Sequence, residues 1–337
     1  MSTDTPETAP QGIHGGVIVG VDGSEHGQCA LSWAAREAER RRTTLHLITA
    51  YSVPIYAASG LDGGYAAVDD SVIREGAESV LKDALERIKD YDIDVDASVE
   101  NGDASGVLLE LGREADLLVV GSRGRGGFVG RLLGSVSSAL PAHASCPTVV
   151  VPMICAGRFG QDVTDKHLKA ELAKNPLEPV KPRVVVGADG SDQARVAVLE
   201  AAAQAQRLGV ELQILCAVPQ YSGSLAWVPA AMDREAIFAD IQVQLDAGVL
   251  WLKSHFPELE ITTRLVDGSP VEVLVDASRD SELVVVGTRG RGGFAGMLLG
   301  STSDGVLHHA QGPVMVVPDR EDPRLADRAS FGPVLGG

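Results

Sequence analysis

The chain repeats itself over a long interval. Val19-Gly20-Val21-Asp22-Gly23-Ser24 returns as Val186-Gly187-Ala188-Asp189-Gly190-Ser191, and the run Gly121 to Phe128 (GSRGRGGF) returns as Gly287 to Phe294 (GTRGRGGF). Asp189 lies 167 residues after Asp22, and Gly287 lies 166 after Gly121, so both anchors move together. A period this long denotes a duplicated domain, because the units of a solenoid run to about 20 to 50 residues. Each half must then bury a core of its own, and 337 residues supply two domains of ordinary size.

The repeat divides the chain into a flexible N-terminal tail (1–14), a first domain (15–153), a linker (154–182), a second domain (183–318) and a flexible C-terminal tail (319–337). The linker is polar and carries Pro176, Pro179 and Pro182, with one short helix expected at Asp165 to Ala173. In the first half, apolar runs of strand length lie at Gly16-Val21, Leu45-Ala50, Val95-Val99, Leu117-Val120 and Thr148-Val151. Helical spacing fills the gaps, over Cys29-Arg41, Ser71-Asp90, Ala104-Glu114 and Ser135-Ala144, and the second half follows suit with strands near Val184, Leu212, Ile261, Val284 and Val314.

Strict β-α alternation specifies a parallel sheet with right-handed crossovers and helices on both faces. Aromatics are only 4% of the chain, which suits such a Val/Leu/Ile/Ala core. The expected fold is therefore α/β, two tandem doubly wound domains, each with a five-stranded parallel sheet in the order 3-2-1-4-5. Ligands in such sheets sit where the winding reverses, between the first and fourth strands. Both repeated motifs follow those two strands. Exposed edges at the two fifth strands invite pairing, within the chain or between copies.

After the fourth strand the first half reads Gly121-Ser122-Arg123-Gly124, then nine residues, then Gly134-Ser135; the second reads Gly287-Thr288-Arg289-Gly290, then nine, then Gly300-Ser301. Backbone amides of a glycine loop approach phosphate oxygens closely, and a Gly-Ser pair opening a helix adds amide donors and the positive end of the helix dipole. This pattern, with the Asp-Gly-Ser turn after the first strand, resembles the ATP-binding universal stress proteins, and the resemblance covers both halves.

The resemblance implies an adenine nucleotide α-hydrolase-like fold and one ATP per half, often with Mg²⁺. It implies that Asp22 and Asp189 hold the adenosine part, with Gly20 and Gly187 allowing close approach. Ala50 in one half and Ala217 and Val218 in the other would flank adenine. Ribose and phosphates would be wrapped by the first loop, which adds Arg125, Gly126 and Gly127 to the residues above, and by the second, which adds Arg291, Gly292 and Gly293. Ser135, Val136 and Ser137, and likewise Ser301, Thr302 and Ser303, would close on the phosphate tail. Arg131 is a further phosphate candidate, and its counterpart Met297 lacks the charge, so the second site is expected to bind more weakly.

Blander readings stand beside these. Asp22 and Asp189 suit a strand-to-helix turn, Ser24 and Ser191 suit helix caps, and Gly102 and Gly268 suit turns. His143 and His309 are repeat equivalents placed to cap helix carbonyls rather than to catalyse. The four cysteines show no C-x-x-C spacing and read as small packed hydrophobes.

No P-loop G-x-x-x-x-G-K-[ST], no G-x-G-x-x-G after a first strand and no kinase motif is present. Near the loops the one acidic candidate for a general base is Asp304, whose counterpart is Ser138. Binding is thus favoured over catalysis. The rivals are a slow ATPase or ATP-dependent enzyme, and a structural interaction protein in which ATP is a permanent folding ligand. A net charge of −17 disfavours nucleic acid as a partner, and the absence of any long apolar run disfavours a membrane span, so a cytosolic regulator with a protein partner of unknown identity is expected.

Overall fold

A computed structural model describes residues 13–53, 70–124, 133–160, 166–174, 176, 179–219, 233–290 and 298–334. The first half runs β1 (Val17–Gly20), α1 (Glu25–Arg41), β2 (Leu45–Tyr51), α2 (Asp70–Ile88), β3 (Val95–Asn101), α3 (Ala104–Leu111), β4 (Leu117–Gly121), α4 (Ser135–His143) and β5 (Thr148–Val151). A 3-10 helix at Met153–Phe159 and α5 (Lys166–Lys174) lead into the second half. It runs β6 (Lys181–Gly187), α6 (Asp192–Leu208), β7 (Glu211–Val218), α7 (Arg234–His255), β8 (Ile261–Asp267), α8 (Pro270–Ser278), β9 (Ser281–Gly287), α9 (Ser301–His309) and β10 (Val314–Val317), and a second 3-10 helix follows at Pro323–Phe331.

Helix α1 begins a turn earlier than its apolar spacing suggests. Ser24 is the reason: its hydroxyl accepts from the Gly27 amide at 3.1 Å, which lets the polar stretch from Glu25 to Gln28 join the helix. Ser191 does the same for α6 through the Ala194 amide. Both helices then bury an Ala/Leu/Val face on the sheet, with Leu31, Ala34, Leu199 and Ala202 wholly excluded from solvent.

The strands form one ten-stranded sheet, β3-β2-β1-β4-β5-β10-β9-β6-β7-β8. Each half keeps the order 3-2-1-4-5, so β1 lies between β2 and β4, and β6 between β7 and β9. All neighbours are parallel except β5 and β10, which meet antiparallel with Val149 opposite Met315, its own repeat equivalent. A residue facing its equivalent marks a local two-fold axis, as in a self-complementary dimer interface. Val149 and Met315 are fully buried there, and excluding each from water is worth about 1.5 to 3 kcal/mol.

The same axis is visible between α1 and α6. Glu37, 1% exposed, accepts two bonds from the Gln204 amide, at 2.9 and 2.8 Å. Arg41 binds Glu37 at 2.6 Å, while Arg41 and Arg207 both donate to the Gln204 carbonyl oxygen. Arg158 of the first 3-10 helix reaches across to the carbonyl oxygens of Ser281 and Arg279.

The C-terminal stretch departs from the expectation of a flexible tail over 319–337. Pro323–Phe331 docks on α7: the Trp251 indole donates to Asp327 at 2.8 Å and to the Arg324 carbonyl at 3.2 Å, and Arg324 lies over the Phe256 ring. Trp251 of α7 and Phe256 just after it are buried, and the docked segment supplies part of their surroundings.

Candidate functional sites

In both halves the two motifs converge at the point where the winding reverses. Asp22 follows β1, and its Oδ1 accepts from the Ser24 amide at 3.0 Å and the Ser24 hydroxyl at 2.6 Å. Asp189 repeats this with Ser191 at 3.0 and 2.7 Å. The turn-organising reading therefore holds for one carboxylate oxygen, while the other faces the glycine loop. A methyl added at Gly124 would sit 2.6 Å from Asp22 Oδ2, and one at Gly290 would collide with Asp189 Oδ2. Glycine at these positions lets the loop backbone lie on the aspartate.

Behind each loop a hydroxyl fixes the backbone. The Gly134 amide donates to the Ser122 carbonyl at 2.9 Å, and Ser137 donates to the same oxygen at 2.7 Å. In the second half the Gly300 amide donates to the Thr288 carbonyl at 2.7 Å, and Ser303 donates to the Gly287 carbonyl at 2.6 Å. Ser137 and Ser303 are buried, and their hydroxyls brace the loop from behind. Ser135 and Ser301 are exposed, and Val136 and Thr302 half-buried, on the first turn of α4 and α9.

Helices α1, α3, α6 and α7 are capped by the side chains of Ser24, Asp103, Ser191 and Asp233. By contrast, α4 and α9 follow Gly134 and Gly300, which have no side chain to cap with; α8, after Ser269, also lacks a side-chain cap bond. A helix N-terminus holds amides that its own backbone does not satisfy, and at α4 and α9 the N-cap glycine has no side chain to take them.

Three other glycines have a packing role. Gly20 and Gly187 face Leu108 and Leu274, where an added methyl would lie 2.8 and 3.0 Å from a leucine methyl. Gly121 faces the first turn of α1, where the methyl would lie 2.5 Å from the His26 carbonyl oxygen. The close approach is made by helix backbone. Ala50, Ala217 and Val218 lie half-buried at the ends of β2 and β7, beside the aspartate turns. Arg123 and Arg289 are half-buried on the loops, and Arg289 Nη2 lies 4.0 Å from Asp319. Arg125, Gly126, Gly127 and Arg131, and in the second half Arg291, Gly292, Gly293 and Met297, lie outside the described residues.

His26 escaped the sequence reading. Its Nδ1 lies 3.1 Å from the Ser122 hydroxyl and so ties α1 to the loop, but its repeat equivalent is Gln193, and the repeat gave no signal for it. His143 Nδ1 lies 2.9 Å from the Ala139 carbonyl, which fits its capping role. Asp304 is exposed and lies 3.6 Å from His308 Nε2. All four cysteines are buried, and burial pushes the Cys146 thiol up to about 12; the neighbouring Cys155 thiol and burial raise Cys29 further.

The model of the universal stress protein family matches residues 16–152 and again 182–318. The chain belongs to the universal stress protein family. It is 33% identical over 314 residues to the universal stress protein Rv2623 of Mycobacterium tuberculosis, covering 89% of this chain and 95% of that one. It is 32% identical over 305 residues to the universal stress protein Rv2005c of the same organism, with 89% and 96% covered. Among solved structures, a universal stress protein from Archaeoglobus fulgidus superposes with a TM-score of 0.60 over 90% of this chain and 98% of that one. At 20% identity that likeness supports the α/β fold. No helix among the described residues is long and apolar enough to cross a membrane.

Proposed function

We propose that this universal stress protein is an ATP-binding regulator that holds one nucleotide in each half, at Asp22 and Asp189, and acts in the cytosol on a protein partner. The observation that carries it is the pair of glycine-capped helices, α4 and α9, whose N-cap residues offer no side chain to their first-turn amides, each beside an aspartate turn at the winding reversal. An anion is the natural acceptor for such amides. Asp22 and Asp189 would hold the nucleoside end, and the amides of Ser135, Val136, Ser301 and Thr302 the phosphates. Mg²⁺ would arrive with the phosphates. The boundaries 15–153 and 183–318 are proposed as the two binding domains.

Nucleotide content tests this. Protein purified under native conditions should release up to two ATP per chain, identified by mass spectrometry against ADP and cyclic AMP. Asp22→Ala and Asp189→Ala should each remove one, with melting temperature confirming that the fold survives. Two nucleotides retained in the double variant would refute the assignment. ATP recovered intact after prolonged incubation would separate a binder from a slow ATPase, and its exchange with labelled ATP would separate a regulator from a protein that keeps ATP as a folding ligand.

A further inference from the structure

Beneath the C-terminal 3-10 helix, between α6 and α7, the second half contains a cavity of about 60 Å³. Its lining is mainly hydrocarbon, from Val198, Ile214, Leu245, Trp251 and Leu252, yet it also includes the guanidinium-bearing Arg195 and Arg328. Arg328 is only 6% exposed. It donates to the carbonyl oxygens of Gln244 at 3.2 Å, Pro333 at 3.1 Å and Gly332 at 3.4 Å, and among the described residues no carboxylate is paired with it. Burial, and then the like charge of Arg195, hold it below the ordinary arginine range. Arg195 binds Asp192 at the exposed rim and the Gly190 carbonyl at 2.9 Å.

A buried cation whose partners among the described residues are all carbonyl oxygens is costly, and a second cation beside it adds to the cost. Hydrocarbon walls reward an apolar body, and the arginines reward a single negative charge. A phosphate would lose its hydration against these walls, and an alcohol would leave the charge uncompensated. We propose that this cavity binds a small aliphatic carboxylate, its charge facing Arg195 and Arg328 and its chain lying against Trp251. The volume holds about four to six water-sized groups, which suits a chain of about four to five carbons. The first half lacks the equivalent charge, because Gln28 stands where Arg195 does and accepts from Arg87 at 2.8 Å. This site does not depend on nucleotide binding, although Ala188 and Gly190 of the Asp189 turn form part of its wall.

Calorimetry on the full chain with pentanoate, pentan-1-ol and pentylammonium decides it. Pentanoate should bind once per chain, at least about tenfold more tightly than the alcohol, and the ammonium should not bind. Arg195→Met should lose about tenfold or more. Gly248→Leu should abolish binding, since a methyl at Gly248 already lies 3.7 Å from Arg328 Nη2 and a longer side chain enters the cavity. Equal affinity for acid and alcohol, no saturable binding of pentanoate, or pentanoate binding undiminished in a folded Gly248→Leu or Arg195→Met protein would overturn the proposal.

Discussion

The two halves share a strand order, a pair of aspartate turns and a pair of glycine-capped helices, yet their surroundings differ. In the first half His26 ties α1 to the loop, Gly121 is wedged against the same helix, and Met153 follows the fifth strand. In the second half Gln193 replaces His26 and bonds Asp319, which also lies near Arg289, and a docked 3-10 helix covers α7. Elements that make the sheet and the winding reversal are duplicated faithfully. Divergence is concentrated where one half meets chain that the other does not have. Asp319 beside Arg289 also places an acid near the second loop, which favours weaker anion binding there, in the direction that Met297 suggests from sequence.

The largest expected effect lies on the local two-fold axis, where the halves are least free to differ. Gln204 is fully buried and supplies both donors to Glu37 and the acceptor for Arg41 and Arg207. Gln204→Met would leave those charges buried without their bridge, so a loss of about 3 kcal/mol is expected in urea unfolding. Gln204→Glu restores symmetry and sharpens the point. It sets two carboxylates within hydrogen-bonding distance, and one proton must be shared between them. Its folded-state pKa is then raised, so the variant is most stable at acidic pH and loses stability as pH rises through that value. A flat difference from the parent between pH 4 and 8 would show that the arginines alone absorb the charge.

A smaller effect separates the equivalent glycines. At Gly121 the added methyl would meet the His26 carbonyl oxygen at 2.5 Å and carbon at 2.6 Å, whereas at Gly287 the nearest atom, the Gln193 carbonyl oxygen, is at 3.2 Å. Backbone must move in the first case and needs to yield only a little in the second. Gly121→Ala should therefore cost about 2 kcal/mol and Gly287→Ala about 1 kcal/mol or less, read by thermal unfolding. Equal losses would mean that the loop, rather than α1, decides the cost.

This contrast also shows what the sequence can reveal. Strand positions, the order within each half and the fifth-strand edges are legible because hydrophobic period and β-α alternation encode them locally, and the repeat checks each one twice. The partner of Gly121 is not legible, since the pattern marks a glycine without saying whether helix or ligand approaches it. The hydroxyl bonds of Ser137 and Ser303 are not legible either, because a serine on a phosphate-type turn looks alike whether its hydroxyl faces outward or back to a carbonyl. The docked C-terminus is hidden by its charge: Arg324 and Arg328 spend their donors on Asp322 and on backbone carbonyls, which a count of charged residues does not reveal.

The smallest expected effect tests the comparison at a single dihedral angle. Helix α1 ends at Arg42 with φ 52, and α6 ends at its equivalent, Gly209, with φ 64; both donate their amides back to the last turn. A left-handed residue satisfies the terminal carbonyls at either site, and glycine adopts that conformation without the strain between Cβ and backbone. For Arg42 the strain is about 1 to 2 kcal/mol, partly offset because arginine loses less backbone freedom on folding than glycine does, by roughly 0.5 to 1 kcal/mol. Arg42→Gly should thus stabilise the chain by about 0.5 to 1 kcal/mol, and Gly209→Arg should destabilise it by a similar amount. Nothing lies within 4 Å of a Cβ at Gly209, so packing does not confuse the second substitution. If Arg42→Gly instead lowers the melting temperature, the guanidinium favours the helix C-terminus by more than its backbone strain costs, and the two caps are equivalent in energy despite their different residues.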